Sequence, residues 1–224
     1  MDDDDFWDKE KLAIQVPTLL SLDESWGGVS CLNKIFRAGV LIRMSRGYKS
    51  GYLYRNILLR RFEISTDTVL LRKDYLLKSG LYDERLKRHQ EVQLFTFFTY
   101  HYKMFLINKH LCNVDIDDAL NRPTPEKMIE VKKNFLASVE PIMNQMSRYE
   151  RYSIRLANYF ELGGVYFLHH LYLKGIVRSL SVLTSPLAFY SACIKMVRRF
   201  RSSQLLNESK GKTIEYYEMI NNLK

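Results

Sequence analysis

The chain has 224 residues, 46% of them hydrophobic, which is enough to bury the core of one domain with an appendage. Its formal net charge of +9 is typical of proteins that meet nucleic acid, phosphate-bearing ligands or anionic lipid, and it does not choose among them. The spacing of Cys31, Cys112 and Cys193 argues against a disulfide framework and a zinc site, so we expect reduced thiols in a cytosolic protein.

The sequence also bears on membrane contact. It shows no secretory signal pattern at its start, and no apolar run reaches the roughly 18 residues of a spanning helix. We therefore expect a cytoplasmic protein whose contact with a membrane, at the inner face of the cell membrane, is peripheral.

The first half of the chain mixes helix and strand patterns. After Asp2 to Asp5 and Phe6-Trp7, we predict a helix over 8–22 that Pro17 ends or kinks, a turn at Gly27-Gly28, a stretch over 29–44 that fits either strand or helix, and a loop at Gly47 to Gly51. A helix over 52–61, a strand over 64–71 and a helix over 74–79 that Gly80 closes follow. The last predicted elements of this half are a helix over 91–102 and short strands over 104–107 and 111–116 around a turn at Lys109.

Beyond Pro123 and Pro125 the pattern is helical throughout. The predicted helices cover about 125–146, 149–161, 165–182, 187–201 and 212–222. Residues 151–203 carry eight basic side chains and one acid, Glu161, with long apolar faces between them. Basic amphipathic helices of this kind either lie on an anionic bilayer or pack on the rest of the protein.

The four aspartates at the start point to metal chemistry. Like charges this close repel one another and raise each other's pKa unless a cation lies among them. Carboxylate oxygens suit Mg²⁺ or Mn²⁺ best. Two other interpretations are a solvated acidic terminus and the remnant of a protease-cleavage tag, although Phe6 stands where such a tag has lysine.

Three segments, in order along the chain, resemble glycosyltransferase family 2. Residues 2–16 (DDDDFWDKEKLAIQV) are similar to the segment with the family's D-x-D motif and the helix after it. Residues 64–73 and 79–86 resemble its acceptor-side strand and its glycine-aromatic-Asp-Glu turn. Residues 87–95 lie where the family shows Glu-Asp or Gln-Asp before an aromatic helix. The resemblance covers about residues 1–116.

The resemblance implies a fold. It predicts the α/β class: a partial GT-A, Rossmann-like domain over residues 1–120, without its N-terminal nucleotide-binding half, followed by a helical extension over residues 121–224. In the family, a strand, a nucleotide-binding loop and further alternating elements precede the D-x-D motif. We therefore expect this chain alone to bind nucleotide sugars poorly and to turn over slowly or not at all.

The resemblance also implies an activity. It predicts an inverting, metal-dependent transfer of sugar from a nucleotide-diphosphate donor to a saccharide or lipid-linked acceptor, in bacterial surface polysaccharide or glycolipid synthesis. It assigns the nucleotide side to Asp2, near the ribose, and to Asp3, the variable position. Asp4 is the implied ligand of Mg²⁺ or Mn²⁺, with Asp5 as a supporting carboxylate. Glu91 is the implied base that deprotonates the acceptor, and it is one methylene longer than the family's aspartate.

Alternatives remain at this stage. Glu91 also suits a helix that merely favours a negative charge in its first turn. Arg43, Arg46, Lys49 and Arg55 flank the loop and either contact diphosphate or are solvated. A non-catalytic remnant that binds a membrane or partner through the basic helices is the main alternative function. Charge alone suggests nucleic-acid binding, but the sequence has no recognition motif and has aspartates where phosphate would approach, so we expect none.

Overall fold

A computed structural model describes residues 5–37, 40–116 and 123–209. It contains a five-stranded mixed sheet, as the predicted α/β class requires. The strands are β1 (Phe6–Trp7), β2 (Trp26–Arg37), β3 (Val40–Met44), β4 (Val69–Leu71) and β5 (Lys103–Asp115). The helices of the described part are α1 (Lys11–Ser21), α2 (Tyr54–Leu58), α3 (Lys73–Ser79), α4 (Gln90–His101), α5 (Pro125–Ser138), α6 (Glu140–Met143), α7 (Arg148–Leu168), α8 (Tyr172–Leu180) and α9 (Pro186–Ser209), with 3₁₀ turns at Thr66–Thr68 and Ser181–Thr184.

The sheet is organised around β2 and β5. These two strands are parallel and pair from Trp26 with Lys103 to Phe36 with Asp115. β1 pairs antiparallel with β5 on the outer side, and β3 and β4 both pair antiparallel with β2 on the other side. The resulting order is β1-β5-β2-β3, with β4 beside β2.

Each face of the sheet packs on its own apolar cluster, as the two-residue period of a strand requires. Met104 of β5 belongs to the larger cluster with α2 and α4, whereas its neighbour Phe105 packs against the smaller one with Leu19 of α1. Cys31 and Cys112 meet in this smaller cluster with their sulfur atoms 3.6 Å apart, which their sequence spacing could not show.

The larger cluster joins the sheet to the second half of the chain. It contains Leu53 and Phe95 from the first half, and Phe135 and Ile154 from α5 and α7. The predicted boundary between residues 120 and 121 lies outside the described residues, as does the predicted helix over 212–222.

The predicted turn at Gly27-Gly28 was wrong, because both residues lie in β2. A Cβ atom on Gly27 would lie 2.6 Å from Cζ of Phe98, and one on Gly28 would lie 2.9 Å from the backbone oxygen of Leu70. The two glycines therefore allow α4 and β4 to approach the strand closely.

Residues Lys103–Asp115 form one strand, where two strands over 104–107 and 111–116 around a turn at Lys109 were predicted. Pairing with β2 continues through this region because register shifts between Ser30 and Asn33 absorb the irregularity.

The helix predicted over 8–22 is present as α1, which begins at Lys11 and runs through Pro17 to Ser21. Pro17 is exposed, and so is Ala13, whose carbonyl group loses its helical partner at the proline. One other boundary differs from prediction. Only the last three residues of the predicted strand over 64–71 form a strand, β4. Thr68 donates its hydroxyl hydrogen to the carbonyl oxygen of Ser65 at 2.7 Å, and local bonds of this kind compete with strand pairing.

Several helices follow the prediction more closely. Gly80, with φ of +88°, follows α3 as expected of a C-terminal glycine, and α4 covers nearly the predicted range. By contrast, α7 continues through Gly163 to Leu168, so the break between the helices predicted over 149–161 and 165–182 comes later. Within the described residues, none of the helices combines the length and the apolar character needed to cross a membrane.

Candidate functional site

Of the predicted acid cluster, Asp5 is described, and Asp2, Asp3 and Asp4 lie outside the described residues. Asp5 is half-buried and directly precedes β1. Antiparallel pairing of Phe6 with Asn113 fixes this segment beside the far part of β5. The backbone N–H of Asp8 extends the attachment by donating to the carbonyl oxygen of Leu111 at 2.9 Å.

A buried lysine lies beneath this segment. Lys11 of α1 is 1% exposed, and its Nζ lies 3.8 Å from the centre of the Trp7 ring. The cation thus contacts an aromatic face two residues beyond Asp5. The burial of Lys11 was not expected from the sequence, since lysine is seldom fully buried.

Glu91 lies in the first turn of α4 and is exposed to solvent. Its surroundings include Tyr82, whose pKa is raised by burial and also by the negative charge of Glu91. In the same segment, the backbone N–H of Asp83 donates to Oε1 of Gln93 at 3.2 Å. The glycine-aromatic-Asp-Glu turn and the first turn of α4 are therefore neighbours.

β5 connects the two predicted parts of the site. α4 passes into β5 through Tyr102, and Phe98, near the end of α4, packs over the start of β2. β1 pairs with β5 at Cys112 and Asn113, near the other end of that strand. The register shifts in the β2–β5 pairing lie between these two ends.

A cluster of buried charges lies behind the first turn of α4. Glu161 of α7 accepts a hydrogen bond from Nε of Arg60 at 3.1 Å and others from Nζ of Lys132 and Nζ of Lys195. Lys132 is 0% exposed and Arg60 is 4% exposed. His89, the residue before α4, lies against the ring of Phe135 in the same region.

The electrostatics of this cluster follow from burial and from its excess of positive charge. The pKa of His89 is lowered to about 3, mainly by burial and also by the charges of Lys132 and Arg60. Burial lowers the pKa of Lys132 to about 8 against the opposing effect of Glu161. Burial by itself would raise the pKa of Glu161, but the three cations outweigh it and hold that pKa well below its usual value.

Sequence reasoning missed this cluster as a unit. One signal was present, because Glu161 is the single acid among eight basic residues in 151–203. A lone acid in a basic apolar segment is a candidate for a buried counter-charge, but its partners come from α5, α9 and the loop after α2, which only the fold brings together.

The basic residues of the loop separate in the structure. Arg46 lines a groove of about 380 Å³ together with Ser45, Gly47, Asn108, His110 and Arg198. Arg198 of α9 donates to the carbonyl oxygens of Arg46 at 2.7 Å and Gly47 at 3.1 Å, which ties the helical region to the loop. Arg55 instead pairs with Glu150 of α7 at 3.3 Å, and Arg43 and Lys49 are exposed.

The ring of Trp26 packs within the protein. Its ring meets Phe105 edge-on, with the ring centres 5.7 Å apart, and Nζ of Lys103 lies 5.5 Å from its ring centre.

Comparison with models of known protein families returned no match, and comparison with curated proteins returned no significant match.

The chemistry of the acidic segment fits a divalent metal, because carboxylate oxygens are the preferred ligands of Mg²⁺ and Mn²⁺. Asp5 is the one member of the cluster within the described part of the chain. In that part, no group of three or more His, Cys, Asp or Glu residues is arranged to hold a metal ion.

Proposed function

We propose that this chain acts in an inverting, metal-dependent transfer of a sugar from a nucleotide-diphosphate sugar to a hydroxyl group. The acceptor class would be a saccharide or a lipid-linked glycan at the inner face of the membrane. The proposal is supported by the three segments that resemble family 2 glycosyltransferases. One arrangement carries it further: α4, with Glu91, leads into β5, and β5 pairs with the strand that follows the aspartates.

The chemistry requires two groups on opposite sides of the reacting carbon. Mg²⁺ or Mn²⁺, when bound by Asp4 and Asp5, would neutralise charge on the departing diphosphate. On the other side, the carboxylate of Glu91 would accept the proton of the acceptor hydroxyl as its oxygen bonds to the anomeric carbon and the bond to phosphate breaks. The Tyr82 phenol, whose pKa is raised by burial and by Glu91, stays a hydrogen-bond donor beside this base.

Metal binding can be tested without any nucleotide. Trp7 follows the aspartates by two positions, so Mn²⁺ bound there should quench its fluorescence because the ion is paramagnetic. We expect saturable quenching that Trp7→Phe removes and that Asp4→Asn/Asp5→Asn weakens by at least tenfold in Mn²⁺ concentration. Glu10→Gln, an exposed acid just beyond β1, is the matched control and should bind as wild type. Unchanged quenching in the double Asp variant would sink the proposed metal site.

The role of Glu91 is tested by turnover. Glu91→Gln should lower the release of nucleoside diphosphate from a panel of nucleotide sugars by about 10² to 10⁴-fold, the usual contribution of a general base. Mn²⁺ affinity should not change, since Glu91 is not among the proposed ligands. Glu84→Gln, an exposed acid of the preceding turn, serves as control. Measurable wild-type release that both Glu91→Gln and Glu84→Gln leave unchanged would rule out Glu91 as the base.

The second candidate is a non-catalytic module that binds a membrane or partner through its helices. The observation that favours it is the exposed apolar side of α8, which uses none of the residues assigned to sugar transfer. Membrane binding that survives both Asp4→Ala and Glu91→Ala, in a chain without nucleotide binding, would favour this candidate.

A further inference from the structure

The helix α8 packs on its neighbour through its smallest residues. Gly175 is the buried residue of α8, and the ring of Phe167 lies 3.0 Å from where its Cβ would be. Gly163 of α7 comes closer still, since a Cβ there would lie 2.4 Å from Oγ of Ser179. The side of α8 that carries Gly175 and Ser179 is therefore held against α7, and its opposite side must face outward.

That outward side is apolar. Leu173 is 77% exposed, Val177 is 64% exposed and Leu180 is 55% exposed. Ile176 lies on the same side, and Leu183 of the following 3₁₀ turn continues it. We call these five residues the α8 stripe. Their spacing of three and four residues is that of one helix face.

The apolar face of α8 points outward, which is the opposite of the usual orientation of an amphipathic helix that packs on a protein core. A helix normally buries its apolar face, but here the close contact at Gly163 and Gly175 holds the small side inward. The α8 stripe cannot turn inward without losing that contact. Exposed apolar patches of this kind mark interaction sites.

The charge around the stripe indicates what covers it. Both charged residues of α8, Lys174 and Arg178, are cations, and Glu126 of α5 interacts electrostatically with Lys174. Lys174 is exposed directly beside Leu173, and Arg178 lies one turn further on, with its guanidinium 5.3 Å from the ring of Tyr159. Apolar side chains flanked by cations match the interface of an anionic bilayer. A second copy of this chain fits poorly, because two such surfaces would bring like charges together.

We propose that the α8 stripe inserts into the interfacial layer of an anionic lipid bilayer, with α8 lying in the membrane plane and Lys174 and Arg178 at the level of the lipid phosphates. This inference goes beyond sugar transfer and does not depend on it. Binding to lipid requires neither the aspartates nor Glu91.

The test is flotation of the full-length chain with vesicles of phosphatidylcholine, with and without phosphatidylglycerol. We expect the chain to float with the anionic vesicles, and high salt to reduce that binding. Leu173→Ser/Val177→Ser/Leu180→Ser should weaken partitioning at least tenfold. Lys174→Gln/Arg178→Gln should remove most of the preference for phosphatidylglycerol.

The matched control places the same substitutions at equally exposed leucines elsewhere. Leu20→Ser/Leu77→Ser/Leu81→Ser alters α1 and the segment around α3, and should float as wild type. Circular dichroism melting should show that every variant is folded. A chain that stays with the soluble fraction, or control and stripe variants that lose binding equally, would overturn the proposal. Sedimentation showing a dimer that only the stripe variant dissociates would assign the surface to a second copy instead.

Discussion

At the scale of single residues, the pKa of His89 reflects the buried charges around Glu161 most directly. Its ring lies against Phe135 and is surrounded by Arg60, Lys132, Lys195 and Glu161, three cations and one acid. A proton on His89 would add a fourth positive charge to a buried site. The structure therefore holds this imidazole neutral, and its pKa falls to about 3.

The pH dependence of stability follows from that pKa. Between about pH 3 and the unfolded value of about 6.5, the unfolded chain binds a proton at His89 that the folded chain does not. The free energy of unfolding should therefore fall as the pH drops below about 6.5. The contribution of His89 to this loss should be about 2 kcal/mol between pH 7 and pH 5.

The variant His89→Asn tests this prediction. Asparagine stays neutral, and it tolerates the backbone conformation of His89, whose φ is +65°. Urea unfolding at pH 7 and pH 5 should show a smaller loss of stability in this variant. His101→Asn, at the exposed end of the same helix, should behave as wild type. If His89→Asn loses as much stability as the wild type, then His89 is protonated in the folded chain.

The residue scale also separates what sequence could and could not reveal about the site. Glu91 was placed in the first turn of its helix by its pattern, and the structure has it there. Lys11 and Lys132 were not expected inside, because nothing in their local sequence distinguishes them from surface lysines. Burial of a charge depends on a partner far along the chain, and Glu161 lies 29 residues beyond Lys132.

At the scale of elements, two adjacent glycines of α7 differ in whether an added side chain would disturb the contact with α8. Gly163 faces α8, whereas a Cβ on Gly164 would meet nothing within 4 Å. Both positions are helical, so alanine should gain about 1 kcal/mol of helix propensity at either one.

We expect Gly164→Ala to stabilise the protein by about 0.5–1 kcal/mol and Gly163→Ala to destabilise it by about 1–3 kcal/mol. The second variant places its Cβ 2.4 Å from Oγ of Ser179 and 3.4 Å from the backbone oxygen of Gly175. Adding Ser179→Ala should recover most of the loss, because the hydroxyl group is the closer obstacle. Denaturant midpoints would measure all three, and equal stability of the two single variants would contradict the close contact.

Elements stabilised by local contacts were predicted more accurately from the sequence than elements stabilised by strand pairing. The helix α4 and the glycine after α3 were anticipated because their signals lie within one or two turns. The continuous strand β5 was not, since its central part is extended only through its pairing with β2. The same holds for Gly27-Gly28, whose neighbours Phe98 and Leu70 lie more than 40 residues away.

At the scale of the whole molecule, one apolar cluster links the sheet and the helical region. Phe135 and Ile154 pack with Leu53 and Phe95, and the buried ion pairs of Glu161 reinforce the same junction. Both tryptophans report on the sheet, since Trp7 lies in β1 and Trp26 in β2. Most of the helical signal comes from the second half of the chain.

We therefore expect the sheet and the helices to unfold together. Tryptophan fluorescence and far-ultraviolet circular dichroism, followed in urea, should give coincident transitions, as for a single cooperative unit. Leu53→Ala, in the shared cluster, should shift both midpoints equally. Two separate midpoints would mean that the helical region is a domain with its own stability.

The sequence by itself determined the helical second half, because short-range periodicity encodes it, and the family resemblance of its segments predicted the α/β class that the mixed sheet confirms. Metal binding by the acidic segment stays a prediction. Only the tertiary structure decided that Glu161 gathers Arg60, Lys132 and Lys195, and that α8 turns its apolar side outward. Both depend on contacts between residues distant in the chain. Such contacts are selected by packing and charge compensation in the folded state, and no local pattern records them.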